Sequence, residues 1–130
     1  MRIAVPFLAL ALLGCAAQTS SNTLTSSEWR FTAIDGSAPA SSEAALSFQA
    51  DRLNGNVGCN RMGGPWRLEH GRLIAGPLMQ TKMACEGAVG QQEQSVSALL
   101  VSAPEVTLDG DRLSLRSSGH SADFTRVSAR

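Results

Sequence analysis

Three cysteines, Cys15, Cys59 and Cys85, and two histidines, His70 and His120, are the residues of this 130-residue chain best equipped for chemistry. General acid–base work needs a histidine or a tuned carboxylate within hydrogen-bond reach of a partner. His70 stands in the turn text His70-Gly71 and His120 in a Ser/Gly-rich stretch, both settings for solvated loop residues. No Gly-x-Ser-x-Gly, phosphate-cradling glycine loop or closely spaced His/Cys metal set occurs in the sequence. Cys59 beside Asn60 suggests a thiol nucleophile, but an exported thiol with a partner usually oxidises. The expectation is a non-enzymatic protein with no catalytic residue, no cofactor and no bound metal.

Cys15 has a different setting. Met1-Arg2 is a short basic start, and Ile3 to Leu13 is an apolar run broken only by Pro6. That length suits a signal peptide and falls short of the about 20 residues a membrane-spanning helix needs. The run ends in Leu12-Leu13-Gly14-Cys15, which resembles the lipobox of bacterial lipoproteins. The resemblance implies cleavage between Gly14 and Cys15, a diacylglycerol on the Cys15 sulfur and an amide-linked acyl chain such as palmitate. Each buried methylene contributes about 0.8 kcal/mol, so two or more chains hold firmly where one binds reversibly. Ala16, not Asp, follows the cysteine, which implies the outer membrane with the domain in the periplasm.

With Cys15 lipidated, Cys59 and Cys85 remain as an even pair in an oxidising compartment, where a disulfide is the default. Closing a loop of about 26 residues contributes roughly 3.5 kcal/mol in the chain-entropy model. Metal ligation and a redox thiol pair are the alternatives, weakened by the lack of a CxxC or an adjacent histidine. Removing residues 1–14 takes away one basic residue, Arg2, of the eleven, against eleven acidic ones. No charge run appears, so nucleic acid is not an expected partner.

The remaining chain is long enough for one compact domain. Residues 15–27 are small, polar and nearly uncharged, the composition of an anchor residue and a flexible tether, so the domain is expected over 28–130. From Trp29 the text is strand-like. Trp29 to Ile34 ends at Asp35-Gly36, and Leu46 and Phe48 alternate with polar residues. Leu53 to Gly58 follows; Gly63 and Gly64 read as a bend before Pro65, leaving an exposed Arg-bearing loop around Arg61 to Arg67. Trp66 and Leu68 face Leu73 and Ala75 across His70-Gly71, and Leu78 to Met83 is another extended run. Val89, Val96, Leu99, Leu100 and Ala103 recur at helical spacing; Gly87 and Gly90 weaken the first turns, so the helix is placed at Gln91 to Val101, ended by Pro104. A hairpin at Val106–Leu115 and a last strand to Val127, with Phe124 inward, complete seven to nine strands. The fold class is mainly β: a small antiparallel barrel or roll, with one helix in the C-terminal half covering an end or face.

The distinctive text is Gly58-Cys59-Asn60, then Gly64 and Trp66, then Thr81-Lys82-Met83-Ala84-Cys85, then Glu93, Val96 and Leu100, closed by Gly110-Asp111-Arg112-Leu113-Ser114-Leu115. In this order and spacing it resembles the META domain family over essentially all of residues 28–127. Val96 stands where the family usually has an aromatic, and Trp66 replaces the commoner Tyr, so the helix-to-sheet contact is expected to pack differently. Each motif residue has an architectural reading. Gly58 frees the backbone and Asn60 holds a turn, while the cysteines tie that turn to the start of the helix. Trp66, Met83, Val96 and Leu100 are candidate core.

The resemblance implies a monomeric envelope lipoprotein supporting envelope integrity or tolerance of heat and antibiotic stress. The competing reading is a periplasmic binding module. It would take a hydrophobic ligand or lipid inside the barrel, or inhibit an envelope enzyme such as lysozyme through a surface loop.

Overall fold

The computed structural model describes residues 21–127. The signal peptide, Gly14 and Cys15 lie outside the described residues. So do residues 16–20 of the tether, but not residues 21–27. Ser21–Leu24 forms a turn of helix, α1, and the first strand, β1, already begins at Ser27 (Ser27–Ile34). The polar composition concealed one apolar residue, Leu24, which is fully buried, and Ser27 Oγ donates to its carbonyl. The folded domain therefore starts earlier than residue 28.

Nine further strands follow: β2 (Ala45–Phe48), β3 (Leu53–Asn56), β4 (Arg61–Gly64), β5 (Trp66–Glu69), β6 (Arg72–Ala75), β7 (Met79–Gln80), β8 (Glu105–Asp109), β9 (Arg112–Arg116) and β10 (Ser121–Arg126). They form one antiparallel sheet in the order β5-β6-β8-β9-β10-β1-β2-β3-β4-β7, with helix α2 (Gly87–Val101) inserted between β7 and β8. The sheet is curled into a half-barrel. Its curl is visible in one contact: Trp66, on the terminal strand β5, stands edge-on to Phe48 of β2 with centroids 4.9 Å apart. The Trp66 indole N–H also donates to the Gln49 carbonyl at 2.8 Å.

Turn chemistry sets the β5–β6 register and reverses the chain after β1. Asp35-Gly36 and His70-Gly71 both have positive φ at both residues (50° and 81°, 51° and 76°), the type I′ geometry that suits the right-handed twist of a hairpin. Alternation then fills the inside of the curl. Along β1, Ser27, Trp29, Phe31 and Ile34 are buried. Phe31 packs on Phe124 of β10 with centroids 4.4 Å apart, and the Arg126 guanidinium lies 4.4 Å over the Trp29 ring.

Three expectations are corrected. Gly63 and Gly64 are not a bend but part of β4, and the region from Arg61 to Arg67 is two strands joined at Pro65 rather than an exposed loop. Gly64 is needed because a Cβ there would collide with the Pro77 carbonyl. The helix begins at Gly87, not Gln91. Its first turn is pressed against the Cys85 carbonyl, which leaves no room for a side chain at Gly90. Met83 is 60% exposed and not core, because its backbone, not its side chain, is the part held down. Trp66, Val96 and Leu100 are buried as expected.

The helix lays Gly90, Glu93, Val96, Leu99 and Leu100 on the sheet, meeting β6, β1 and β10. Val96 meets the sheet with a fully buried side chain. No helix among the described residues is long and apolar enough to cross a membrane.

Candidate functional site

Asn60 is the centre of the motif residues. It follows Gly58, whose φ of 113° suits glycine and whose N–H donates to Asn56 Oδ1 at 2.8 Å. The buried Asn60 Oδ1 accepts from Thr81 Oγ1 at 2.9 Å and from the Met83 N–H at 2.8 Å. Its Nδ2 donates to the Met83 carbonyl and lies against Cys85 Sγ, both at 3.1 Å. Thr81 Oγ1 also accepts the Arg61 N–H at 3.0 Å. One carboxamide therefore holds the whole segment from Thr81 to Cys85 against the start of β4.

Helix α2 joins this cluster through Glu93, only 4% exposed. Its Oε2 accepts the Asn60 backbone N–H at 3.0 Å, and its Oε1 accepts Gln80 Nε2 at 2.6 Å. The half-buried disulfide Cys59–Cys85, with 6.2 Å between its Cα atoms, closes the same junction covalently. Every buried polar side-chain atom among the described residues has a partner. Burying a carboxyl and a carboxamide is tolerable only on those terms.

The junction borders a surface groove of about 490 Å³ lined by Asn60, Gln80, Met83, Cys85, Glu93 and Val101, among others. Met83 and Val101, both well exposed, give it apolar flanks. A second trough of about 330 Å³ lies on the outer face of β1 to β4, lined by Glu28, Ser47, Asn54, Asn56, Arg61 and neighbours.

A third polar cluster was not legible as a motif, since Asp35 and His120 lie 85 residues apart. Asp35 Oδ1 accepts the Ser121 N–H at 3.0 Å and Oδ2 stands 3.1 Å from His120 Nδ1. The Ser121 N–H holds this carboxylate below its ordinary value against the opposing effect of desolvation, helped by the side chains of His120 and Ser95 and by the imidazole's charge. The carboxyl lies between serine and imidazole. In a nucleophilic triad the imidazole lies between the other two, so this cluster is built as a lock between the end of β1 and the start of β10.

The structure thus brings together Gly58, Cys59, Asn60, Thr81, Met83, Cys85 and Glu93. Gly64, Trp66 and Leu100 serve the core elsewhere, and Ala84 is exposed. Gln80 carries no motif signal in the sequence, and its role is to cap the buried Glu93.

A curled antiparallel half-barrel with a long helix bound to two loops by a disulfide and an Asn–Glu network is the class of domain these features define. The chain belongs to the META domain family, whose model matches residues 22–129. Two solved NMR structures are similar in fold. One has a TM-score of 0.74 at 21% identity, covering 83% of this chain and 95% of its own. The other, from Burkholderia xenovorans, has a TM-score of 0.67 at 26% identity, covering 83% of this chain and 86% of its own. No curated protein matches the chain.

Proposed function

We propose that this META domain protein is a non-enzymatic lipoprotein of the bacterial outer membrane, held through Cys15, that supports envelope integrity under heat or antibiotic stress. The observation that carries the reading is the Cys59–Cys85 bond at the centre of the motif cluster, which suits an oxidising compartment. It agrees with the export and lipobox text of residues 1–15. The polar motif residues are engaged with one another, which favours architecture over catalysis. A strain lacking the gene should become more sensitive to heat, detergent and large hydrophobic antibiotics, and a Cys15→Ala copy should fail to restore tolerance. Unchanged sensitivity in the deletion strain contradicts the reading.

A second reading, a binding module, draws on the groove beside the disulfide. The inside of the curl is filled by Trp29, Phe31, Leu46, Phe48, Leu53 and Leu113, which favours recognition at the surface over a lipid held within. Crosslinking the lipidated protein in cells and identifying its partners separates the two readings. A single specific adduct mapped to Met83 or Val101 supports the module, and its absence supports the structural role.

A further inference from the structure

The three groups that close the helix junction also have the chemistry of metal ligands. Cys59 Sγ, Cys85 Sγ and a Glu93 carboxylate oxygen all lie within 4.8 Å of one another. Cys85 Sγ stands 3.6 Å from Glu93 Oε2. In a tetrahedral zinc site with Zn–S about 2.3 Å and Zn–O about 2.0 Å, sulfur and oxygen ligands stand about 3.5 Å apart. One edge of that tetrahedron is therefore already in place. Two thiolates on one zinc need about 3.8 Å between sulfurs, a modest opening by side-chain rotation once the bond between them is broken.

We propose that reduction of Cys59–Cys85 converts this junction into a site for one zinc ion, with Cys59 Sγ, Cys85 Sγ and Glu93 Oε2 as ligands. The disulfide takes two electrons and two protons from a dithiol donor, which closes to its own disulfide. Zinc then displaces the two thiol protons and binds both sulfurs as thiolates. In the oxidised protein neither sulfur is a thiolate, so the site exists only in the reduced state. The surroundings suit it. Asn60 Nδ2 lies 3.1 Å from Cys85 Sγ, while the Asn60 N–H and Gln80 Nε2 orient the Glu93 carboxyl. Three protein ligands leave a fourth position for water, and Cys85 and Glu93 line a solvent-reached groove of about 490 Å³.

The test uses the full-length chain carrying Cys15→Ala, so that two thiols remain, reduced under argon with a phosphine, desalted and titrated with Co²⁺ alone and then Zn²⁺. The reduced chain should take up one cobalt with thiolate-to-cobalt absorption and tetrahedral visible bands, displaced by zinc, and the oxidised chain none. Glu93→Gln should weaken binding at least about tenfold, as loss of a ligand exceeds loss of its support, while Glu86→Gln at an exposed neighbour leaves it unchanged. If Glu93→Gln does not fold, zinc-edge X-ray absorption on the parent chain decides. Two sulfurs at about 2.3 Å with oxygen at about 2.0 Å support the site. Four sulfurs, from two chains sharing an ion, overturn it, as do no uptake by the reduced chain or equal affinity in a folded Glu93→Gln.

Discussion

Asn60 shows how one side chain can organise a junction that sequence spacing only outlines. Its carboxamide meets Thr81, Met83 and Cys85, and its backbone meets Glu93. Asn60→Ala removes the partner of half-buried donors and acceptors in the 81–85 segment and should cost about 1–3 kcal/mol. Urea unfolding of the oxidised protein measures it, and a loss well below 1 kcal/mol would show that water replaces the carboxamide. Asp35 makes a pH-dependent contribution. Its folded value is depressed, so the stability it adds is fully present above its unfolded value near 4 and is lost as pH falls through the lower folded value. The melting temperature of Asp35→Asn should therefore fall less steeply than that of the parent below about pH 4. Equal slopes would assign the acid loss to other carboxylates.

At the scale of elements, what could be read in advance followed from local backbone chemistry. Asp35-Gly36, His70-Gly71 and Gly110 marked turns because positive φ strongly favours a few residue types. Period-two burial marked β1, β2 and β9 for the same local reason. The text Arg61-Met62-Gly63-Gly64 carried neither signal, because β4 is made a strand by its neighbours β3 and β7 and by the closeness of Pro77. The first turn of α2 was hidden likewise, since its glycines oppose helix and the pin at Cys85 lies just before it. Replacing Cys59 and Cys85 together by serine should cost roughly 3–4 kcal/mol. Amide exchange should then accelerate more over residues 87–91 than over 96–101, where Val96, Leu99 and Leu100 are buried. Uniform acceleration would mean that the helix is one cooperative unit with no dependence on the pin.

For the whole molecule, the cysteines connect fold to place. Cys59 and Cys85 were legible as a pair by counting, and their bond sits where the family motif concentrates. The partners of Glu93 were not legible, because Gln80 and Asn60 reach it only through the closed sheet. Leu24 was not legible because a single leucine in a polar run has no periodicity to announce it, yet its burial joins residue 24 to the core. The disulfide of the META domain and the proposed lipid anchor at Cys15 are tested together by the intact mass of the protein extracted from cell envelopes, before and after alkylation without reductant. The expected protein has its N-terminus at Cys15, carrying a diacylglycerol and an acyl chain, and takes no alkylation at Cys59 or Cys85. An unlipidated N-terminus, or two alkylated thiols on the folded chain, would contradict that expectation.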